Sequence, residues 1–489
     1  MVSLTSSLDL ASCFRFLLFS SLLSVVFAHE DHGEHGQPEH GGHGKHPGRK
    51  HCTVKHNRDG SDDSPNILAA FAECATNSLI TFSRANYSAF TPVALTGLDD
   101  VIIHLDGNLL LPSSIPQVQH AINITKNQPS TYATPWFYFH GSNVQLIAAD
   151  DFAWGRFIGF GEHWWDLRQQ TLRPQLATFN ITTGLMRNIK VIKPIAWGWN
   201  LPGTNIRVEN HFVDAQPSNA SRWETISFPF NTSVWCQASI SLGKTSPSTG
   251  AIIVVAQRAY APTYGCMHLR YFGHNGDDCI SLINGADGVV AKNGFCGFSS
   301  HGLSVGSLGK NGAFQTVQNI LFKNWTMDGA VYGARFKSWT GGNGFANNVT
   351  WEDIHLINVS TAIYITQNYF DQELGPPKTS GGPINSTHVS NFTYRNFTGS
   401  LNANWTDGTC ITQPCWNFVP GIDGTQSIIF DLYPDTAVNI SVGRVHVHPY
   451  QLPYSATNVI CNATTLAPGE QDTLGFNCTR GPYVQTKTR

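Results

Sequence analysis

The sequence predicts an all-β protein built as a stack of coils, a parallel β-helix, with an antiparallel sandwich as the alternative. Three observations carry this. Short strands of alternating polarity recur along most of the chain, charged stretches that would form helices are scarce, and no long helical crossover separates the strands. The composition agrees, with 45 Gly, 25 Pro, 29 Phe and 13 Trp among 489 residues and only 13% charged.

Residues 1–28 read as a secretory signal. "FRFLLFSSLLSVVFA" (14–28) gives one cation and then a short apolar run ending in small residues. The run is too short for a bilayer span and no other segment could make one, so the expectation is a secreted, extracellular protein with no membrane partner. Residues 29–51, "HEDHGEHGQPEHGGHGKHPGRKH", hold no apolar side chain to bury and read as a disordered His/Gly-rich segment outside the fold. A metal-binding or pH-responsive tail is the sharper reading of its imidazoles, and a solvated linker the simpler one.

From Cys52 to the end, residues 52–489, the chain reads as one β-helical domain. Its strands include "VIIHLDG" (101–107), "VQLIAAD" (144–150), "IKVIK" (189–193), "IRVEN" (206–210), "MHLRYFG" (267–273), "VVAKNG" (289–294), "ILFKNW" (320–325), "VTWEDI" (349–354) and "FTYRNF" (392–397). Each alternates apolar and polar residues at period two, and several are followed by Asn, Asp or Gly. In a stack of coils, side chains at equivalent points line up along one face, which is how a long groove for a polymer can be built.

Of 11 cysteines, Cys13 lies in the signal and ten remain, an even number suited to disulfides in an oxidising compartment. Spacing suggests short loops: Cys52 with Cys74, Cys279 with Cys296, Cys410 with Cys415, and Cys461 with Cys478. Cys236 and Cys266 are left over, and with no C-x-x-C pair metal binding is the weaker reading. Fifteen N-x-S/T acceptors, among them Asn86, Asn123, Asn324, Asn348, Asn391 and Asn477, fit a glycoprotein. A net charge of −3 without a basic stripe gives no reason to expect a nucleic-acid partner.

Three stretches could do chemistry. In "NGDDC" (275–279), Asp277 and Asp278 can share a cleft only where the chain bends, as the flanking Asn-Gly allows. Two close carboxylates resist ionising together, so one can act as acid and the other as base. An exposed turn or a calcium-ligand pair is the competing reading. "SSHGLSVGSLG" (299–309) places His301 in a glycine-flanked turn open to close approach, although a lone histidine of this kind is also a common structural element. In "ARFKSW" (334–339), Arg335 and Lys337 lie on one face of a strand and repel unless an anion, such as a sugar carboxylate, sits between them. A solvated strand face explains them equally.

Taken together and in order, "NGDDC", "SHGLSVGSLG", "ARFKSW" and "ITQNY" (365–369) resemble glycoside hydrolase family 28, the polygalacturonases, and look closest to the fungal exopolygalacturonases. The likeness extends upstream through "EHWWD" (162–166) and "VIKPIAWGWNL" (191–201) and downstream through "CITQPCW" (410–416) and the Cys461/Cys478 loop. It implies a single-stranded right-handed parallel β-helix, the pectin-lyase-like solenoid. It also implies inverting hydrolysis of α-1,4-galacturonosyl bonds of pectin by a monomer, without metal or other cofactor. Asp277 would be the proton donor, Asp278 would help activate water, and His301 would orient or tune the acid. Arg335 and Lys337 would bind the galacturonate carboxylate and Tyr369 would line the subsite. An inverting enzyme keeps its acid and base about 6.5–9.5 Å apart, so the two aspartates should diverge.

One element of the family pattern is missing. After "FPFNT" the family carries an Asp-Gly-aromatic-Asp run whose first aspartate also activates water; here Ser233 stands in its place, 44 residues before Asp277. The stretch 233–265 reads as an anomalous insert. Three readings stay open: an intron retained in translation, a slow variant relying on Asp278 alone, or a catalytically silent pectin-binding relative. The leading function is a secreted exopolygalacturonase releasing galacturonic acid; an exo-rhamnogalacturonan or xylogalacturonan hydrolase is the neighbouring enzyme reading.

Overall fold

The structure is a computed structural model, described for residues 48–125, 135–167, 169, 171–216, 240–242, 271–297, 299–370, 386–403, 419–450 and 457–486. From Arg49 onward the chain packs as one compact unit. Among the described residues the strands form two sheets, of 15 and 11 strands, and the chain passes back and forth between them. In the larger sheet Ile280–Leu282, Leu303–Leu308, Tyr332–Trp339 and Thr361–Tyr369 lie side by side, each one coil from the next. These neighbours pair in parallel, as do those of the smaller sheet. Antiparallel pairing between named strands occurs only where Asn458–Ile460 meets Arg480–Pro482. A sandwich is excluded; this is a parallel β-helix.

Eight of the nine strand-like stretches named above fall on strands, and of 267–273 the described residues 271–273 do so. The alternation has its physical outlet in columns of inward side chains. Leu303, Ala334, Ile363 and Ile428 stack in register, and Val305, Phe336, Ile365 and Phe430 form the next column, each at most 3% exposed. Each large side chain so buried contributes about 1.5–3 kcal/mol. Phe322, Trp351 and Tyr394 stack face to face on three successive coils, with ring centroids 5.6 and 4.8 Å apart. The Trp351 indole N–H donates to the Leu303 carbonyl at 3.3 Å, so its polar edge is satisfied inside the core.

Asparagines at the corners adopt left-handed backbone and chain the coils together. Asn324 Nδ2 donates to Asn293 Oδ1 at 2.6 Å, Asn348 to Asn319 at 2.8 Å, and Asn391 to Asn347 at 2.7 Å. Asn tolerates positive φ better than any other residue with a side chain except Asp, which explains its place after so many strands.

The helix Ser64–Glu73 buries Ile67, Ala70 and Phe71 in the core at the start of the stack. The expectation of disorder through residue 51 needs correction at its end. Lys50–Thr53 pairs in parallel with Thr76–Phe82, and Arg49 forms an ion pair with Asp100 at 2.5 Å, so Arg49, Lys50 and His51 belong to the first coil. Backbone pairing outweighs the polar composition there. The disulfides Cys52–Cys74, Cys279–Cys296 and Cys461–Cys478 are formed, with Cα atoms 6.2, 6.1 and 4.9 Å apart. The expected Cys410–Cys415 bridge, residues 1–28, Ser233, Cys236 and Cys266 lie outside the described residues. Of the stretch 233–265, Ile240–Leu242 is described: it pairs in parallel with Trp199–Leu201 on one side and Ile280–Leu282 on the other. Among the described residues no helix is long and apolar enough to cross a membrane.

Candidate active site

Asp277 and Asp278 occupy the corner where the chain leaves Tyr271–His274 in the smaller sheet and enters Ile280–Leu282 in the larger. The Asn-Gly bend read from the sequence is built by Asn275, whose Nδ2 donates to the Asp277 carbonyl at 2.6 Å. Ser300 Oγ and the His301 amide donate to the same carbonyl, at 3.1 and 3.0 Å. The Cys279–Cys296 disulfide follows directly and ties the corner to the neighbouring coil.

The two carboxylates have separate partners. Asp277 Oδ1 lies 3.0 Å from His301 Nδ1 and accepts the Asp278 amide at 2.8 Å. Asp278 Oδ1 accepts from Ser304 Oγ at 2.5 Å and from Arg335 Nη2, while Arg335 Nε donates to Ser304 Oγ at 3.0 Å. Ser304 and Arg335 therefore both donate to Oδ1 of the Asp278 carboxylate. Burial pushes the Asp277 carboxyl up, but the His301 hydrogen bond and the charges of His301, Lys337 and Arg335 outweigh it and hold Asp277 below the usual carboxylate range. The acid–base split expected from mutual repulsion is thus replaced by ion pairing: each carboxylate has its own cationic or imidazole neighbour.

Gly302 makes the close packing behind His301 possible. Its φ is +73°, and a Cβ there would stand 2.1 Å from the Tyr332 carbonyl oxygen. On Tyr332–Trp339, Ala334 and Phe336 point into the core, which turns Arg335 and Lys337 to the opposite face. The two cations differ in setting. Arg335 is fully buried, and the anion it meets in this structure is Asp278. Lys337 is half-buried, with its ammonium 5.0 Å from the centre of the Tyr369 ring. The structure therefore gathers Asp277, Asp278, His301, Arg335, Lys337 and Tyr369 along one face of the larger sheet.

Sequence reasoning passed over Ser304 and Tyr332. Period two alone would have placed Ser304 outward between inward Leu303 and Val305, directly beside Arg335 in register. Tyr332 lies under the Arg335 guanidinium at 5.1 Å and 6.1 Å from the His301 ring, a contact no local motif announces.

Asp277, Asp278 and His301 each offer a ligand atom within 4.8 Å of the others, so a cation could be imagined among them. The Arg335 guanidinium already sits on Asp278 and the His301 ring on Asp277, and these positive groups fill the role an ion would have. His301 and Arg335 engage different aspartates, so each carboxylate is held by its own partner.

An aspartate pair with an imidazole and two cations thus stands on the flank of a parallel β-helix. The family described as glycosyl hydrolases family 28 matches residues 271–419. The chain is 32% identical to the probable exopolygalacturonase C of Aspergillus flavus over 96% of this chain and 98% of that one. It is 33% identical to the protein of the same name from Aspergillus fumigatus, over 87% of this chain and 89% of that one. In fold it is similar to the endo-xylogalacturonan hydrolase of Aspergillus tubingensis, with a TM-score of 0.61 at 20% identity, covering 88% of this chain and 99% of that one. The chain belongs to glycosyl hydrolases family 28.

Proposed function

We propose that the protein is a secreted, exo-acting galacturonan hydrolase, releasing galacturonic acid from the ends of pectin chains at a rate limited by one absent carboxylate. The observation that supports it best is the meeting of Asp277 and Asp278 with His301 from the next coil and the Arg335–Lys337 strand from the coil after that. The exo assignment leans on the names of the Aspergillus relatives. Secretion is supported by the signal-like residues 1–28 and three disulfides.

In this reading Asp277 protonates the leaving oxygen. The His301 hydrogen bond chiefly holds it ionised, and Lys337 contributes to that. A galacturonate carboxylate settling on Lys337 would cancel this charge and add a negative one nearby. Both effects raise the Asp277 pKa and let it take up the proton it must give. Asp278 holds Arg335 and Ser304 through Oδ1, which leaves Oδ2 to orient the attacking water. Arg335 then acts mainly by fixing Asp278, and Tyr369 forms the wall on which Lys337 rests.

The absent carboxylate favours a second reading. Between Glu224 and Asp277 the sequence contains no Asp or Glu, so no residue of that stretch can take over the role expected at position 233. A pectin-binding relative without turnover would look like this. Product analysis on polygalacturonate with excess chelator separates the two. Monomer release without a gain in ultraviolet absorbance supports hydrolysis. Binding without product supports the silent reading, and early internal cuts would overturn the exo assignment.

A further inference from the structure

The row of cations on the larger sheet does not stop at Lys337. Past it on the same strand comes Trp339, whose register partner on the next coil is Tyr369, with ring centroids 5.0 Å apart at 79°. On the other side of the indole stands Lys310, from the short helical turn Lys310–Gly312 that follows Leu303–Leu308. Its ammonium lies 4.7 Å from the centre of the Trp339 ring. Two aromatic rings thus stand between two ammonium groups in one file: Lys337, Tyr369, Trp339, Lys310.

The file has a physical asymmetry. Trp339 is 4% exposed and serves as a fixed wall, while Lys310 is exposed. Among the described residues no carboxylate lies within ion-pair distance of Lys310, although Lys323 and Lys193 elsewhere on the solenoid have such partners. An ammonium laid on an indole gives up rotamer freedom for a modest attraction. The arrangement gains most when an anion completes the charge pairing, because the lysine is already positioned.

We propose that Lys310, held by Trp339, forms an outer subsite that takes the carboxylate of a second uronic-acid unit of the polymer bound at Lys337. This rests on the galacturonan reading and extends it: one unit would be matched by Lys337 over Tyr369, the next along the chain by Lys310 over Trp339. The subsite selects for unesterified, consecutive uronates, since a methyl ester or a neutral sugar offers Lys310 no charge.

The test is binding, so that slow turnover does not obscure it. Dissociation constants of the full-length protein are measured by calorimetry for galacturonic acid, for an oligogalacturonate, and for that oligomer methyl-esterified. The variants are Lys310→Met, Lys310→Arg and the control Lys323→Met on the other sheet. Lys310→Met is expected to weaken the oligomer roughly tenfold, the scale of one charge-assisted hydrogen bond. It should leave galacturonic acid and the esterified oligomer unchanged and flatten the salt dependence, with Lys310→Arg restoring most of the loss. Equal loss on both lengths, or none on either, overturns the subsite while leaving the galacturonan reading standing. Failure of the unaltered protein to bind or cleave any uronate oligomer overturns both.

Discussion

His301 Nδ1 stands 3.0 Å from Asp277 Oδ1, and the backbone amide of His301 holds the carbonyl of the same aspartate at the same distance. One residue thus fixes both the charge and the position of the proposed acid. Asp277→Asn should lower galacturonate release by about 10²–10⁴-fold with an unchanged fold by circular dichroism. His301→Gln removes the main influence that lowers the Asp277 pKa, so the Asp277 titration followed by carboxyl NMR should move to higher pH. No movement would mean that Lys337 and Arg335 dominate instead.

Arg335 is fully buried, and Asp278 is its acidic partner. Arg335→Met leaves Asp278 buried without compensation and should cost about 3–5 kcal/mol in a urea melt. Adding Asp278→Asn should return part of that stability and none of the activity. If the single variant unfolds outright, the double variant alone decides the point.

His211 is buried and His274 half-buried, and both resist protonation. Burial pushes the His211 ring down to about 3 and the His274 ring to about 4. Both folded values lie below the about 6.5 of an unfolded histidine. The unfolded chain therefore binds more protons on acidification, and the stability from keeping these rings neutral is full above about 6.5 and lost as pH falls toward 4 and then 3. His211→Phe should reduce the loss of stability between about pH 7 and pH 4, by on the order of a few kcal/mol. Parallel curves for the two proteins would show that His211 is not the sensor.

The Cys279–Cys296 bridge closes a loop of 17 residues beside the acid pair. Cys279→Ala with Cys296→Ala should cost about 3 kcal/mol by loop entropy. It should also slow turnover more than the equivalent change at Cys461 and Cys478, whose bridge lies at the far end of the stack. Matched thermal melts and product assays of the two variants give the comparison.

Ser233→Asp alone should leave product release close to the unaltered rate. The family run that carries the missing acid is absent as a whole here, so one side chain is not enough to place a water. Full recovery of rate by this single change would show that the surrounding chain already has the required geometry.

Much of this was legible in the sequence, and the reasons are local. Period-two alternation announced the strands, a bend at Asn275 announced the acid corner, and short spacings announced three disulfides. What stayed hidden depends on which coil lies beside which. Arg335 read as a grip for a sugar carboxylate because Asp278, 57 residues earlier, is brought to it only by stacking. Asn324, Asn348 and Asn391 read as glycan acceptors, yet each also donates its side-chain amide to the coil before it. The tripeptide pattern cannot separate those two uses.

The strand Ile240–Leu242 joins Trp199–Leu201 to Ile280–Leu282, while Phe212 meets Phe272 directly on the opposite side of the winding. Among the described residues between Asp214 and Tyr271, Ile240–Leu242 fills one slot of the winding. A spring of fixed pitch tolerates slack between turns but not a fraction of a turn. Filling that slot is what gives the next strand, and the acid corner that leads into it, a fixed bearing.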